Sequence, residues 1–147
     1  MASSKEFDLL YLLRILEASE KIRIYSKGFT DPIDFFEAND QREFNACLSL
    51  LAQIGEQANK ISTETKQKYP DLDWGNIYGY RNRIVHDYTG IDKFLTFEII
   101  VESVPALIDS ISNLIRVEVR NGSLSLEDFN LSKQSPYLKH IDFGSIQ

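Results

Sequence analysis

The stretch that decides the fold class reads DQREFNACLSLLAQIGEQANKIS and covers residues 40–62. Asp40 and Glu43 stand at the spacing of a capping box, which marks the first turn of a helix. The apolar side chains behind them recur at the three- and four-residue spacing of one helix face, at Phe44, Cys47, Leu48, Leu51, Ile54, Ala58 and Ile61. The stretch therefore predicts a long amphipathic helix that buries one face in a core.

The residues before this stretch predict one long and one short helix. Ser3 with Glu6 is another capping-box pair, and Gly28 suits a helix end. Asp31 precedes a proline, and this pair predicts a capped short helix over residues 32–37. In the long helix we expect the inward side chains to be Phe7, Leu10, Tyr11, Ile15, Ala18, Ile22 and Tyr25.

Three further helices are predicted after the stretch. Residues 62–70 are polar and form a short helix that ends at a proline. Asp73 can cap a helix that opens at Trp74 and runs toward Asp87. Asp92 can cap a long final helix.

The final helix covers residues 93–120 and is strongly apolar. Pro105 lies inside it and is expected to kink it, because proline lacks a backbone donor and clashes with the preceding turn. Asn121 and Gly122 supply its end. Its expected inward side chains are Phe94, Phe97, Ile100, Val101, Val104, Leu107, Ile108, Ile111, Leu114 and Ile115.

These segments predict an all-α protein. No segment alternates long enough to indicate a sheet, and short connections between long helices favour an antiparallel bundle of four to five helices over residues 1–122. Residues 123–147 mix Ser and Asn with apolar side chains. We expect them to form an irregular C-terminal extension that packs on the bundle or on a partner.

Composition narrows the class of function. The net charge of −6 repels a polyanion at long range, which argues against a broad duplex-binding surface and against DNA as a partner. Any RNA contact must therefore be local, or an assembly of chains must create it. The single cysteine fits a reducing compartment, and no apolar run is long enough for a signal core or a membrane span. The expected location is the cytoplasm.

A second stretch carries the candidate chemistry: residues 74–90 read WGNIYGYRNRIVHDYTG. Arg81 offers a permanent planar charge that grips phosphate, and His86 can give and take protons near neutral pH. Asn82 can fix the backbone or orient His86 through hydrogen bonds. RNA brings its own nucleophile, the 2′-hydroxyl, so this set needs neither a metal nor a cofactor. By itself, however, an arginine and a histidine at this spacing more often join helices than cut RNA.

Helix geometry limits how these residues can act. Residues step by about 100° around a helix, so Asn82 and His86 lie about 40° apart while Arg81 and His86 lie about 140° apart. One regular helix cannot aim both at one phosphate. Either the helix is distorted, or two copies of the chain combine across a two-fold axis.

The surrounding residues resemble a known family. GEQANKIS at residues 55–62, P-x-x-x-W from Pro70, I-x-G-x-RN, HDY and the following GID are all present in order. From about residue 8 to residue 120 the chain is similar to the HepT-like branch of the HEPN superfamily, which carries the motif RNxxxHxY. The resemblance implies a homodimeric helical ribonuclease toxin whose site combines the motifs of two protomers, with Arg81 and His86 as catalytic residues.

The same resemblance implies a protein partner. Toxins of this family are paired with an MntA-like nucleotidyltransferase antitoxin, which adds AMP from ATP to the motif tyrosine, here Tyr88. For Tyr88 to face the site beside His86, the helix should break near residues 87–90, because two residues on an intact helix point about 200° apart. Alternatively, Tyr88 is an ordinary interface aromatic and the antitoxin acts by binding alone.

Other candidates have simpler interpretations. Trp74 and Tyr78 are expected to anchor the motif helix, and Asp87 to serve as a helix-end or interface contact. Cys47 lies on the buried stripe and should be inert, and His140 should be a surface residue. Gly55 inside a helix suggests close helix packing. The acidic residues Asp31, Asp34, Glu37 and Asp40 lack histidine partners and do not indicate a metal site.

Two functions follow from these observations. The first is a metal-independent endoribonuclease toxin that is neutralised by a nucleotidyltransferase. The second is a non-catalytic helical partner, or substrate-binding subunit, of a nucleotidyltransferase. The complete Arg-Asn-x-x-x-His-x-Tyr set favours the first, whereas the acidic charge and the extra tail favour the second.

Overall fold

The computed structural model describes residues 5–146, which are helical nearly throughout and contain no strand. The first half of the chain forms a hairpin of two long helices. Helix α1 (Asp8–Ser26) packs along α3 (Arg42–Lys60), and the short α2 (Pro32–Glu37) lies in the connection between them. The predicted all-α class is confirmed.

The second half adds the motif helix and a long C-terminal helix. Helix α4 (Thr63–Lys68) is followed by α5 (Trp74–His86), which packs on α3. Then α6 (Lys93–Glu98), a π-helical segment (Ile99–Ser103) and α7 (Val104–Arg120) follow one another without a break. The predicted single helix is therefore divided, and Pro105 lies in the first turn of α7, where a proline needs no backbone hydrogen bond.

Side-chain caps define several helix starts. The carboxylates of Asp31, Asp73 and Asp92 accept hydrogen bonds from the backbone N–H groups of Asp34, Asn76 and Phe94 at 3.0, 3.3 and 2.8 Å. These three predicted caps are confirmed. The glycines expected at the ends of the first and last long helices, Gly28 and Gly122, have φ angles of +88° and +82°, a left-handed conformation that favours glycine.

The capping box predicted at Asp40 is wrong. Asn39, Asp40 and Gln41 all have positive φ angles, whereas an N-cap residue needs extended backbone. Asn39 takes over the contact, since its side-chain amide donates to both Glu43 carboxylate oxygens at 3.1 Å. The capping box predicted at Ser3 lies outside the described residues.

The predicted rotation of the two longest apolar helices is partly wrong. Phe7, Leu10 and Tyr25 were expected inside but are exposed, and so are Phe94 and Val101. Helix α1 contacts both α3 and α7, so a broader arc of it is covered than a single stripe allows. The predicted burial of Ile15, Ala18 and Ile22 is confirmed, and the core also takes from α1 the side chains of Leu9, Leu12, Leu13 and Leu16.

A buried carboxylate ties the start of α1 to the corner between α3 and α4. Asp8 is fully buried and accepts from the Ser62 backbone N–H at 2.9 Å, from the Ser62 hydroxyl at 2.6 Å and from the Thr65 hydroxyl at 2.6 Å. These hydrogen bonds replace the water that the carboxylate loses on burial. The corner fixes where the chain leaves α3 toward the motif helix.

The residues after Gly122 fold onto the bundle as three short helical segments. They are α8 (Leu126–Ser132), a 3₁₀ turn (Pro136–Leu138) and α9 (Phe143–Ile146). Their apolar side chains join the core at Leu124, Phe129, Leu138, Ile141 and Ile146.

The histidine of this tail is not the surface residue that the sequence suggested. His140 is half-buried, and its Nδ1 lies 2.5 Å from Oε2 of the buried Glu17 on α1. Its backbone N–H donates to the other Glu17 oxygen at 2.7 Å. Over residues 5–146, no helix combines the length and the apolar character that a bilayer crossing requires.

Candidate active site

The motif helix α5 lies against α3 at a glycine. A Cβ atom added at Gly55 would overlap Cβ of Arg81 and come within 3.0 Å of the Ile77 carbonyl oxygen. The close helix packing predicted for Gly55 is therefore confirmed. The contact also brings the Arg81 side chain across the exposed surface of α3, beside the residue that follows Gly55.

That residue, Glu56, forms an ion pair with Arg81. One guanidinium nitrogen of Arg81 lies 3.1 Å from Oε2 of Glu56, and the other donates to Oδ1 of Asn82 at 2.8 Å. The Tyr78 ring lies below the guanidinium, with 5.7 Å from its centre to Cζ. Arg81 is thus held on two sides while remaining about a quarter exposed, with a side-chain exposure of 26%.

Asn82 is bonded to Arg81 and not to His86. Sequence reasoning offered Asn82 as a backbone or histidine contact and gave Glu56 no role. The available signal was its place in the GEQANKIS segment, directly after the glycine at the helix contact. A local pattern could not show that Glu56 and Arg81, 25 positions apart, share a contact.

His86 is the last residue of α5 and is exposed. Since α5 is a regular α-helix from Trp74 to His86, the divergence of about 140° between Arg81 and His86 holds. Distortion within the motif helix, one of the two ways of bringing them together, is excluded. A single chain presents Arg81 beside α3 and His86 away from it.

The helix face that carries His86 is smooth. Gly75, Gly79, Asn82 and His86 lie within an arc of about 60° on α5. A Cβ atom built at either glycine meets nothing within 4 Å. This face has room for another backbone to approach closely.

The predicted break after the motif helix is confirmed. Asp87 ends α5 with extended φ and a ψ of 55°, and Tyr88–Gly90 forms a 3₁₀ turn. Tyr88 is half exposed, and its hydroxyl donates to Oδ1 of Asn45 on α3 at 2.5 Å. Asp87 serves as the helix end, one of its two expected roles.

The remaining candidates are structural. Trp74 Nε1 donates to the Tyr69 carbonyl at 3.1 Å and so anchors the start of α5. Burial raises the pKa of the Cys47 thiol to about 12, which keeps it protonated and unreactive. Within residues 5–146, no group of three or more His, Cys, Asp or Glu side chains is arranged to hold a metal ion.

A cavity of about 450 Å³ lies on the other side of α5. Its walls come from α3, α5 and the π-helical and α7 segments and are mainly apolar, with Leu51, Ile54, Ile77, Val104 and Leu107. None of Arg81, Asn82, His86 or Tyr88 lines it. It is therefore separate from the candidate site.

Comparisons with known proteins identify the family. A family described as "Ribonuclease HepT-like" matches residues 15–114. The chain is 33% identical to "Putative RNase MJ1380" of Methanocaldococcus jannaschii over 66% of this chain and 86% of that protein. It is 30% identical to "Probable ribonuclease HepT" of Thermococcus cleftensis, again over 66% and 86%. No solved structure matches.

Proposed function

The chain belongs to the HepT-like ribonuclease family, and from this premise we propose that it is a metal-independent endoribonuclease, the toxin of a toxin–antitoxin pair. The observation that carries the proposal is the arrangement on α5. An arginine with free donors and an exposed histidine stand on one short helix at diverging angles, beside a face that another backbone can approach.

Arg81 and His86 would act on one phosphate in a dimer. Two copies of α5, packed through the face with Gly75 and Gly79, would bring His86 of each protomer near the two-fold axis. The divergence within one chain then ceases to be an obstacle, because Arg81 and His86 of different protomers can face the same RNA backbone. Close approach of two helices is what small residues on a helix face permit.

The reaction is a transfer within the RNA. The 2′-oxygen attacks the adjacent phosphorus, the bond from phosphorus to the 5′-oxygen breaks, and the products are a 2′,3′-cyclic phosphate and a 5′-hydroxyl. One His86 imidazole accepts the proton of the 2′-hydroxyl, and a protonated His86 donates one to the leaving oxygen. Arg81 stabilises the charge that develops on the phosphoryl oxygens.

Tyr88 is the proposed point of control. A nucleotidyltransferase antitoxin would transfer AMP from ATP to the Tyr88 hydroxyl: the phenolic oxygen bonds to the α-phosphorus and pyrophosphate leaves. Tyr88 is half exposed, and its hydroxyl donates to Asn45. An added nucleotide would place bulk and negative charge two residues from His86 and block the RNA path.

Purified protein should cleave single-stranded RNA in the presence of EDTA. We expect His86→Ala and Arg81→Ala to lose at least a hundredfold in rate, since each removes a group that acts in the transition state. The chain supplies a matched control, because His140→Ala removes the other histidine and should retain activity. A substrate with a single 2′-deoxy sugar at the cleaved position should resist.

The outcomes separate the two candidate functions. Full activity in His86→Ala would contradict the proposed mechanism. Absence of cleavage by the wild type, together with stable binding to a nucleotidyltransferase, would favour the non-catalytic partner instead. For Tyr88, incubation with the antitoxin and ATP should add the mass of AMP to the wild type and not to Tyr88→Phe.

A further inference from the structure

Glu56 is the one carboxylate that the described residues place on the Arg81 guanidinium. It lies on the exposed side of α3, with 40% of its side chain accessible, and pairs with Arg81 at 3.1 Å. Beside Gly55, where α3 and α5 pack closely, the pair spans the contact between the two helices.

The pairing leaves Arg81 able to bind a ligand. A guanidinium has five N–H donors in a fixed plane, and the contacts to Glu56 and Asn82 use one from each terminal nitrogen. Nε–H and one N–H on each terminal nitrogen remain. The two acceptors, Glu56 and Asn82, fix the orientation of the planar guanidinium, while its remaining N–H groups can still bind a phosphate.

An exposed arginine without such partners would sample several rotamers and would pay side-chain entropy when it has to align with the phosphate in the transition state. The geometry points to Glu56 as a positioning residue for the ribonuclease reaction: its carboxylate, with the Asn82 amide, orients Arg81 toward the phosphate before RNA arrives. This inference rests on the proposed function and deepens it, since it assigns a role to a residue outside the RNxxxHxY motif.

The charge of Glu56 gives the role a distinctive kinetic signature. A carboxylate near the RNA path repels phosphate, so its removal should not weaken RNA binding. We expect Glu56→Ala to lower kcat about tenfold without raising KM. Arg81→Ala should both lower kcat and raise KM. Glu56→Gln keeps an oxygen that can accept from Arg81 and should recover part of kcat.

Two controls separate positioning from folding and from net charge. Glu127→Gln removes a carboxylate on the surface helix α8, remote in sequence from the site, and should leave kcat unchanged. Thermal unfolding should show all variants folded at the assay temperature. An unchanged kcat in Glu56→Ala would overturn the inference, and an increased kcat would show that the carboxylate competes with phosphate instead.

A second measurement needs no activity. In ¹⁵N NMR spectra, an ordered guanidinium gives separate, slowly exchanging signals from its terminal nitrogens. We expect such signals for Arg81 in the wild type and in Glu127→Gln, and their collapse in Glu56→Ala. If the signals persist in Glu56→Ala, Glu56 does not hold Arg81. If the wild type fails to cleave RNA, the proposed function fails, while this measurement still decides whether Glu56 orients Arg81.

Discussion

The candidate site combines the side chains of one short motif with partners from another helix. Arg81, His86 and Tyr88 stand in one short motif, and their chemistry follows from their residue types. The partners of Arg81 and Tyr88, namely Glu56 and Asn45, come from another helix. A pattern along the chain can single out a residue such as Glu56, but it does not show which side chain on the other helix that residue will contact, because this depends on how α3 and α5 are rotated against each other.

The thiol of Cys47 is buried in the folded protein. Burial raises the pKa of Cys47 to about 12, so the thiolate, which is the reactive form, is scarce at neutral pH. We expect native protein at pH 7.5 to resist iodoacetamide for hours and denatured protein to react at once. Mass spectrometry counts the added groups. Rapid modification of the folded protein would show that Cys47 is accessible.

The sequence predicts where helices begin better than it predicts which face of each helix is buried. The caps at Asp31, Asp73 and Asp92 act locally, so local sequence was enough to find these helix starts. Phe7, which precedes α1, and Phe94, in the first turn of α6, are exposed although each continues an apolar stripe, because the stripe alone does not show which neighbours cover it. Burial of a given side is a property of the packed bundle.

Gly55 and Gly79 both lie within helices but differ in the space around them. Gly55→Ala puts a methyl group onto Arg81 and should cost about 1–3 kcal/mol of unfolding free energy, because α3 and α5 must move apart. Gly79→Ala adds the same atom where nothing lies within 4 Å and should stabilise the subunit by about 0.5–1 kcal/mol. Urea unfolding measures both.

The Gly79→Ala variant also tests the proposed dimer. If two α5 helices pack through the face of Gly79, Gly79→Ala should weaken dimerisation in sedimentation experiments while it stabilises the subunit. A substitution that stabilises the subunit but weakens the dimer would place Gly79 in the dimer interface. A variant that leaves the dimer as tight as wild type would move the interface elsewhere.

Helices α4 and α7 are joined by a carboxylate whose pKa gives a pH prediction. Burial raises the pKa of Glu118, but hydrogen bonds from Lys68 at 2.8 Å and Tyr69 at 2.7 Å outweigh it, so the net pKa is lowered from 4.5. A lowered carboxylate pKa stabilises the fold above its unfolded pKa, and this contribution is lost as the pH falls through the folded value.

We therefore expect Glu118→Gln to be less stable than wild type by about 1–2 kcal/mol at pH 7. The difference should shrink as the pH falls below 4.5, the ordinary value from which the Glu118 pKa is lowered. Urea titrations at pH 7, 5 and 3.5 measure it, with Glu127→Gln as the surface control. A difference that stays constant with pH would mean that Glu118 acts through packing alone.

The tail is part of the folded unit. Its apolar side chains are evident in the sequence, but its contacts with the bundle include one across 123 positions, from His140 to Glu17, which no local pattern predicts. The family match covers residues 15–114 and does not extend into this region. The tail contact lies on α1, whereas the candidate site lies between α3 and α5.

The contact between His140 and Glu17 links the tail to α1. His140→Ala removes the ring from Oε2 of Glu17, a carboxylate with only 8% of its side chain exposed, and leaves Lys21 at 3.7 Å as a weaker partner. We expect a loss of about 1 kcal/mol, or roughly 3 °C in Tm, with RNA cleavage unchanged below that temperature. Exposed Lys139→Ala is the neighbouring control and should unfold like wild type. In a double-mutant cycle with Glu17→Gln, the two losses should be less than additive, because either change alone breaks the same contact. Full additivity would show that His140 and Glu17 act independently and that their contact does not help to hold the tail on the bundle.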